Sequence, residues 1–331
     1  MSEVGDYRDC PVLVTGGAGA IGSNVIVELA RLGAGPIAVI DDLSGGFRWN
    51  LPDVPGLSFV EGSITDPSAL AAAFAVRPRR VFHLAAQFAN QRSVDDPEGD
   101  LRVSGLGTLR VLQACVEVGV ERVVYASSGC ALTSVEGAAG GAAAPGQLTT
   151  PYQITKLLGE HYATFFGAQH GLAVARPRLF NVYGPGEVPG RYRNVIANFC
   201  FRALRGLPLV ITGTGAETRD FCWVGDAVDA LLASGTATAA TGHAFQVASG
   251  RETPIAALAA AVVRATGSDS PIEHAHRRDW DHKPRLLGDP TTARELLGVE
   301  PGTVSLEEGL GQTVEWMQAN WARIERDADF G

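Results

Sequence analysis

Pro11-Val12-Leu13-Val14-Thr15-Gly16-Gly17-Ala18-Gly19-Ala20-Ile21-Gly22 is the stretch that decides the fold. Its first five residues are apolar without a helical period and read as a buried strand, which runs straight into a glycine-rich turn. From Ser23 to Leu32 apolar residues recur at helical spacing (Val25, Ile26, Leu29, Leu32), and Gly33 and Gly35 end that helix. Between a strand and a helix, glycines keep side chains out of the way of a pyrophosphate. The free N–H groups and dipole of the helix start attract that anion. Gly16, Gly19, Ala20, Ile21 and Gly22 are therefore candidate dinucleotide contacts, with a purely structural tight turn as the plainer reading.

Working outward, a second apolar strand, Ile37 to Ile40, ends in Asp41-Asp42 about twenty residues after the turn. A carboxylate there can accept both ribose hydroxyls of an adenosine and would repel a 2′-phosphate, so the cofactor should be NAD rather than NADP. Leu43, Ser44 and Gly46 follow directly and join the candidate cofactor contacts; a solvated acidic loop is the alternative. The alternation continues with strands at Leu57–Val60, Arg80–Leu84 and Arg122–Ala126 and helices at Pro67–Ala75 and Val103–Val118. Strands separated by helices predict a parallel sheet covered on both faces, with ligands outside the carboxyl ends of the strands. Ser63-Ile64, Ala85-Ala86-Gln87 and Ser127-Ser128-Gly129 fall at such ends. The fold expected is α/β, a Rossmann-type doubly wound parallel sheet with a smaller, mixed α/β C-terminal substrate domain. Its cofactor domain would be 1–181, taking back about 218–249, and its substrate domain 182–217 with 250–331.

A glycine- and alanine-rich stretch between Ser134 and Thr150 reads as a flexible loop, and a helix from about Tyr152 to His170 follows it. On that helix Tyr152 and Lys156 are one turn apart on one face. An ammonium beside a phenol favours the phenolate and lowers its pKa, so the pair can accept a hydroxyl proton. The spacing also recurs by chance on amphipathic helices.

With 331 residues, 46% hydrophobic and 19% charged, the chain is an ordinary globular protein; a net charge of −9 without a basic face argues against nucleic acid. No apolar run reaches the roughly 18 residues of a membrane span, and the polar start is unlike a signal peptide, so a cytoplasmic protein without a membrane partner is expected. Five scattered cysteines read as reduced thiols, and His274 and His276 lack partners at metal-ligand spacing, so no metal is expected.

Taken together, these motifs resemble the extended short-chain dehydrogenase/reductases of the NAD-dependent epimerase/dehydratase family, most closely nucleotide-sugar 4-epimerases, over nearly the whole chain. The resemblance implies the cofactor loop at Thr15–Gly22, the ribose acid at Asp41 and a cofactor contact at Leu84-Ala85-Ala86. It also implies a catalytic serine at Ser128 and the catalytic pair Tyr152 and Lys156. In the carboxyl half it implies a nucleotide-sugar phosphate contact at Asn181, phosphate-holding arginines at Arg219 and Arg278, and a ribose contact at Asp281. The family often has an aspartate where Ser63 stands, and after Ser128 the chain continues Gly129-Cys130 rather than toward Val-Tyr-Gly. The sugar-facing wall is thus unusual. Arg191, Arg193 and Asn194 fall near the expected sugar or phosphate site, where one arginine could meet a sugar carboxylate.

The activity implied is NAD-dependent 4-epimerisation through a transient 4-keto sugar, with UDP-glucuronate to UDP-galacturonate favoured over UDP-glucose to UDP-galactose because of those two arginines. A 4,6-dehydratase would need an Asp-Glu pair after Ser128, and a UDP-glucuronate decarboxylase usually carries a glutamate there. A non-catalytic NAD-binding regulator is the alternative of another class. Family habit suggests a homodimer built on the helices around Val103–Val118 and Tyr152–His170.

Overall fold

The computed structural model describes residues 5–88, 90–131, 148–281 and 283–330; the glycine-rich loop lies outside them up to residue 147. The strands are β1 (Val12–Thr15), β2 (Ile37–Asp41), β3 (Leu57–Glu61), β4 (Arg80–His83), β5 (Arg122–Tyr125), β6 (Ser127–Ser128) and β7 (Ala173–Leu179). After them come β8 (Leu209–Thr212), β9 (Thr218–Asp220), β10 (Ala244–Val247), β11 (Glu252–Pro254), β12 (Ile272–Ala275) and β13 (Arg285–Leu286). The main sheet runs β3-β2-β1-β4-β5-β7-β10 with every pairing parallel, and β6 continues beside β7.

Continuous apolar runs form these strands because both faces of the sheet are covered. Val12 and Val14 of β1, with Ile37 and Val39 of β2, pack into one core cluster that includes Val25, Ile26 and Leu29 of the helix Ala20–Arg31. Leu13, Ala38 and Ile40 point the other way, into a second cluster with Val111, Leu112 and Phe166. Each such fully buried aliphatic side chain contributes about 1.5–3 kcal/mol.

Strand order reverses at β1, since β2 lies on one side of it and β4 on the other, and this opens a crevice beyond their carboxyl ends. The turns leaving β1 and β4 approach closely there. Gly16 has φ +71°, and a Cβ on it would stand 2.8 Å from the Ala85 nitrogen, so only glycine fits.

The remaining strands form a smaller mixed lobe. β9 pairs antiparallel with β11 and parallel with β13, and β8 pairs with β12. Of the stretch 218–249, β10 joins the main sheet whereas β9 belongs to this lobe.

One expected element differs. In place of an α-helix over Val103–Val118 there is a π-helix, Leu101–Gly107, followed by an α-helix, Thr108–Val118. Thr108 Oγ1 donates to the Ser104 carbonyl at 2.7 Å, the group an α-helix would offer to the Thr108 N–H, so hydroxyl competition accompanies the widened turn. Among the described residues no helix is long and apolar enough to cross a membrane.

The helix Pro151–His170 starts on Thr150, whose hydroxyl accepts from the Gln153 N–H, with Pro151 in its first turn, and it ends on Gly171 at φ +68°. It lies tightly on β5. A Cβ on Gly159 would stand 2.1 Å from the Tyr125 hydroxyl. Gly159→Ala is therefore expected to destabilise the protein by about 1–3 kcal/mol despite its better helix propensity, read as a Tm several degrees lower in thermal unfolding.

Candidate functional site

Over the carboxyl ends of β1, β2 and β4 lies a cavity of about 700 Å³, a size suited to a cofactor and substrate. Gly16, Gly19, Ala20, Ile21 and Gly22 line one part of it. Gly19 begins the helix Ala20–Arg31 without any side-chain cap, so the helix start presents backbone N–H groups.

Asp41, at the end of β2, is 8% exposed. Its carboxylate accepts from the backbone N–H of Ala18 (3.0 Å) and Leu43 (2.8 Å). Burial raises its pKa, and those two bonds oppose the rise. Asp42, Leu43, Ser44, Gly46, Ser63, Ile64, Leu84, Ala85 and Ala86 also line the cavity.

Elsewhere in the same cavity are Ser128, Cys130, Tyr152 and Lys156. Strand β6 carries Ser128, and the helix Pro151–His170 carries the other pair, one turn apart. The Ser128 hydroxyl accepts from the Cys130 N–H at 3.2 Å and stands beside the Tyr152 phenol. Lys156 Nζ donates to the Ala126 carbonyl at 2.8 Å and sits 5.7 Å from the Tyr152 ring centroid. Burial pushes the lysine down to about 8, opposed by the carboxylates of Asp100 and Glu160. Burial also pushes the Tyr152 phenol well above its ordinary value, and the neighbouring Ser128 hydroxyl opposes that only in part. In the protein alone, then, desolvation outweighs the lowering expected from an ammonium one turn away.

Several candidates stand apart from this wall. Gln87 is buried and donates to the Asp96 carbonyl at 3.2 Å. Gly129 backs onto the Phe180 ring, leaving Ser128 and Cys130 to face the cavity. Arg219 and Asp281, expected on a phosphate and a ribose, pair with each other through two 3.1 Å contacts, while exposed Arg278 lies over the Trp280 ring. Arg191 also lines the cavity and contacts the Asp95 carboxylate at 3.4 Å. Arg193 donates to the Gly45 carbonyl on the loop that follows Asp41. Asn181 and Asn194 line the cavity, with the Asn181 amide held by the Asp220 carbonyl at 2.7 Å.

Sequence reasoning missed other participants. Phe88, Asn90 and Arg92, on or just before the short helix Asn90–Asp95, line the cavity. Lys283 reaches across to donate to the Cys130 carbonyl at 3.0 Å. Glu160 could have been found: Tyr152, Lys156 and Glu160 repeat every four residues along one helix face.

The chain's residues fit a dinucleotide on geometric grounds. A glycine cradle closed by Ala85, an uncapped helix start and a backbone-held carboxylate at the next strand end occur together in one cavity. The sequence profile of the NAD dependent epimerase/dehydratase family matches residues 12–248. The UDP-glucose 4-epimerase of Mycolicibacterium smegmatis is 36% identical over 92% of this chain and 98% of its own length. Among solved structures, the epimerase Mth375 of Methanothermobacter thermautotrophicus superposes with a TM-score of 0.95 at 46% identity, covering 98% of this chain and 96% of that one. The Bordetella bronchiseptica enzyme WbmF, solved with NAD+ and UDP, gives 0.83 at 35% identity, covering 97% and 96%.

Between a folded pKa of about 8 and the ordinary 10.5, Lys156 binds fewer protons folded than unfolded. Its contribution to stability must therefore rise with pH across that window. Urea unfolding of the cofactor-free protein at pH 7.5 and 9.5 is expected to show the wild type gaining stability relative to Lys156→Met at the higher pH.

Proposed function

The chain belongs to the NAD-dependent epimerase/dehydratase family of nucleotide-sugar enzymes, and we propose that it interconverts C4 epimers of a UDP-sugar, with UDP-glucose and UDP-galactose the favoured pair. The observation that carries this reading is the convergence of Ser128, Tyr152 and Lys156 in the cavity that also holds the glycine turn and Asp41. NAD, when bound, supplies an acceptor for the hydrogen at sugar C4 and returns it. The chain's own residues handle the proton. Tyr152, as the phenolate, takes it from the C4 hydroxyl, Ser128 beside it on the cavity wall orients that hydroxyl, and Lys156 supplies the positive charge beside the ring that favours the phenolate.

Gly129 and Cys130 follow Ser128 where water elimination would need an acid and a base, which favours epimerisation over dehydration. The two arginines that pointed to a uronate line the cavity, but each has a partner in the protein, Arg191 the Asp95 carboxylate and Arg193 the Gly45 carbonyl, and we take this to favour a neutral hexose. Uridine is favoured by the relatives' substrates and ligands as named above.

Exposed apolar side chains at Leu101 (56%), Ile154 (53%) and Phe165 (53%), on two helices packed side by side, suit a second copy of the chain, and we include a homodimer in the proposal.

Incubation with UDP-glucose, and separately with UDP-glucuronate, followed by NMR of the products, is expected to show the C4 epimer of the former as the better product. A pentose or a 4-keto-6-deoxy sugar as main product would overturn the reading. Tyr152→Phe is expected to retain NAD and lose turnover by a factor of about 100 or more, the scale of a general base. In analytical ultracentrifugation, Ile154→Glu with Phe165→Glu is expected to convert a dimer into a monomer; a monomeric wild type would refute the dimer alone.

A further inference from the structure

The segment 186–194 runs along the cavity and is fastened at both ends. Asn50 Nδ2 donates to the Gly186 carbonyl at 2.8 Å, and Asn24 Nδ2 to the Pro185 carbonyl at 2.9 Å, tying its start to the cofactor side. Near its other end Gly190 bridges to Asp329, the Arg191 N–H donates to the Asp329 carbonyl at 2.7 Å, and Asn198 clasps Gly190 from both sides. Such a segment holds its side chains in place.

Among those side chains is Arg193, which lines the cavity and donates from Nη2 to the carbonyl of Gly45, four residues beyond Asp41. A Cβ on Gly45 would already stand 3.5 Å from the guanidinium. Two buried carboxylates, Glu187 and Asp41, act electrostatically on this cation, and Arg92 joins it by donating to the Ser44 carbonyl at 3.3 Å. The guanidinium has five N–H donors, and its bond to Gly45 uses one.

A ribose hydroxyl that donates to a carboxylate keeps lone pairs that accept from a second donor. We propose that Arg193 is a cofactor-retaining residue: held against Gly45, it donates to the adenosine ribose oxygens of the NAD whose hydroxyls Asp41 accepts. The anionic pyrophosphate, between the two halves of the dinucleotide, adds to the attraction. This assigns Arg193 to the cofactor rather than to the sugar, and it does not depend on which sugar is turned over.

The test is isothermal titration of NAD, and separately of UDP, into nucleotide-stripped full-length protein. Arg193→Ala is expected to weaken NAD at least tenfold and leave UDP within twofold, while Arg191→Ala leaves NAD within twofold. Arg193→Lys keeps the charge and loses the fork, so an intermediate NAD affinity is expected; it carries the test if the alanine protein does not unfold cooperatively. NAD binding within twofold of wild type in the Arg193 variants would overturn the proposal. So would a loss confined to UDP, which would return Arg193 to the substrate.

Discussion

The buried ammonium of Lys156 constrains much of what surrounds it. At 4% exposure a cation is costly unless it is hydrogen-bonded and faced by opposite charge. Its bond to the Ala126 carbonyl meets the first need, and Asp100 and Glu160 meet the second. Each carboxylate must itself be satisfied, and this spreads the constraint outward. Glu160 receives a two-pronged bond from Arg178 on β7 and one from the Ser127 hydroxyl, one residue before Ser128. Asp100 accepts from Thr155 (2.7 Å) and Ser104 (3.1 Å), and the Ser104 hydroxyl in turn accepts from the Gln87 N–H. The lysine, the serine and the cofactor-side turn after β4 are thereby located by one connected set of polar groups. Gln87, outside the cavity wall, belongs to this support.

A second chain of hydrogen bonds fixes the turns themselves. His83, at the end of β4, is 1% exposed and stands 2.7 Å from Thr15 Oγ1 and 3.0 Å from Thr108 Oγ1. Thr108 donates to the Ser104 carbonyl, so its oxygen must accept from the histidine, which places the ring proton on Nε2. Nδ1 then accepts from Thr15, whose oxygen is left to accept from the Ala85 N–H. Every polar atom has one consistent role, and burial holds the ring neutral by driving its pKa down to about 3. The glycine turn and the π-helix are thus referenced to each other through an imidazole that does not titrate at neutral pH.

The parts legible in the sequence are those written by local rules. Period and punctuation give β1, the glycine turn, Asp41 and the helix Pro151–His170, because each depends on burial pattern or backbone conformation within a few residues. Less legible was anything decided by distant partners. The two-residue strand β6 exists only because Arg178 and Leu179 of β7 pair with it. The π-helix depends on side-chain competition with the backbone. Arg193 and Arg191 lie two apart in sequence, yet one reaches the Asp41 loop and the other Asp95, a divergence that proximity in the chain cannot reveal. Nor could spacing weigh desolvation against charge at Tyr152, since burial is a property of the assembled core.

How the smaller lobe is held against the sheet follows from Asp220, fully buried at the end of β9. Its carboxylate accepts from the Ser249 N–H and hydroxyl (2.8 and 2.7 Å), the Gly250 N–H (2.9 Å) and the Gly288 N–H (3.2 Å). Those donors lie just after β10, which belongs to the main sheet, and just after β13, which belongs to the small one. A carboxylate buried without such partners would protonate or draw in water, so the four bonds are what make its burial tolerable. The backbone carbonyl of the same residue receives the Asn181 amide at 2.7 Å, and Asn181 lines the cavity with an uncommon φ of +32°. One residue therefore joins the two sheets and orients a side chain in the cavity wall. The cavity wall at Asn181 is in this way set by hydrogen bonds that only the correctly docked arrangement can complete.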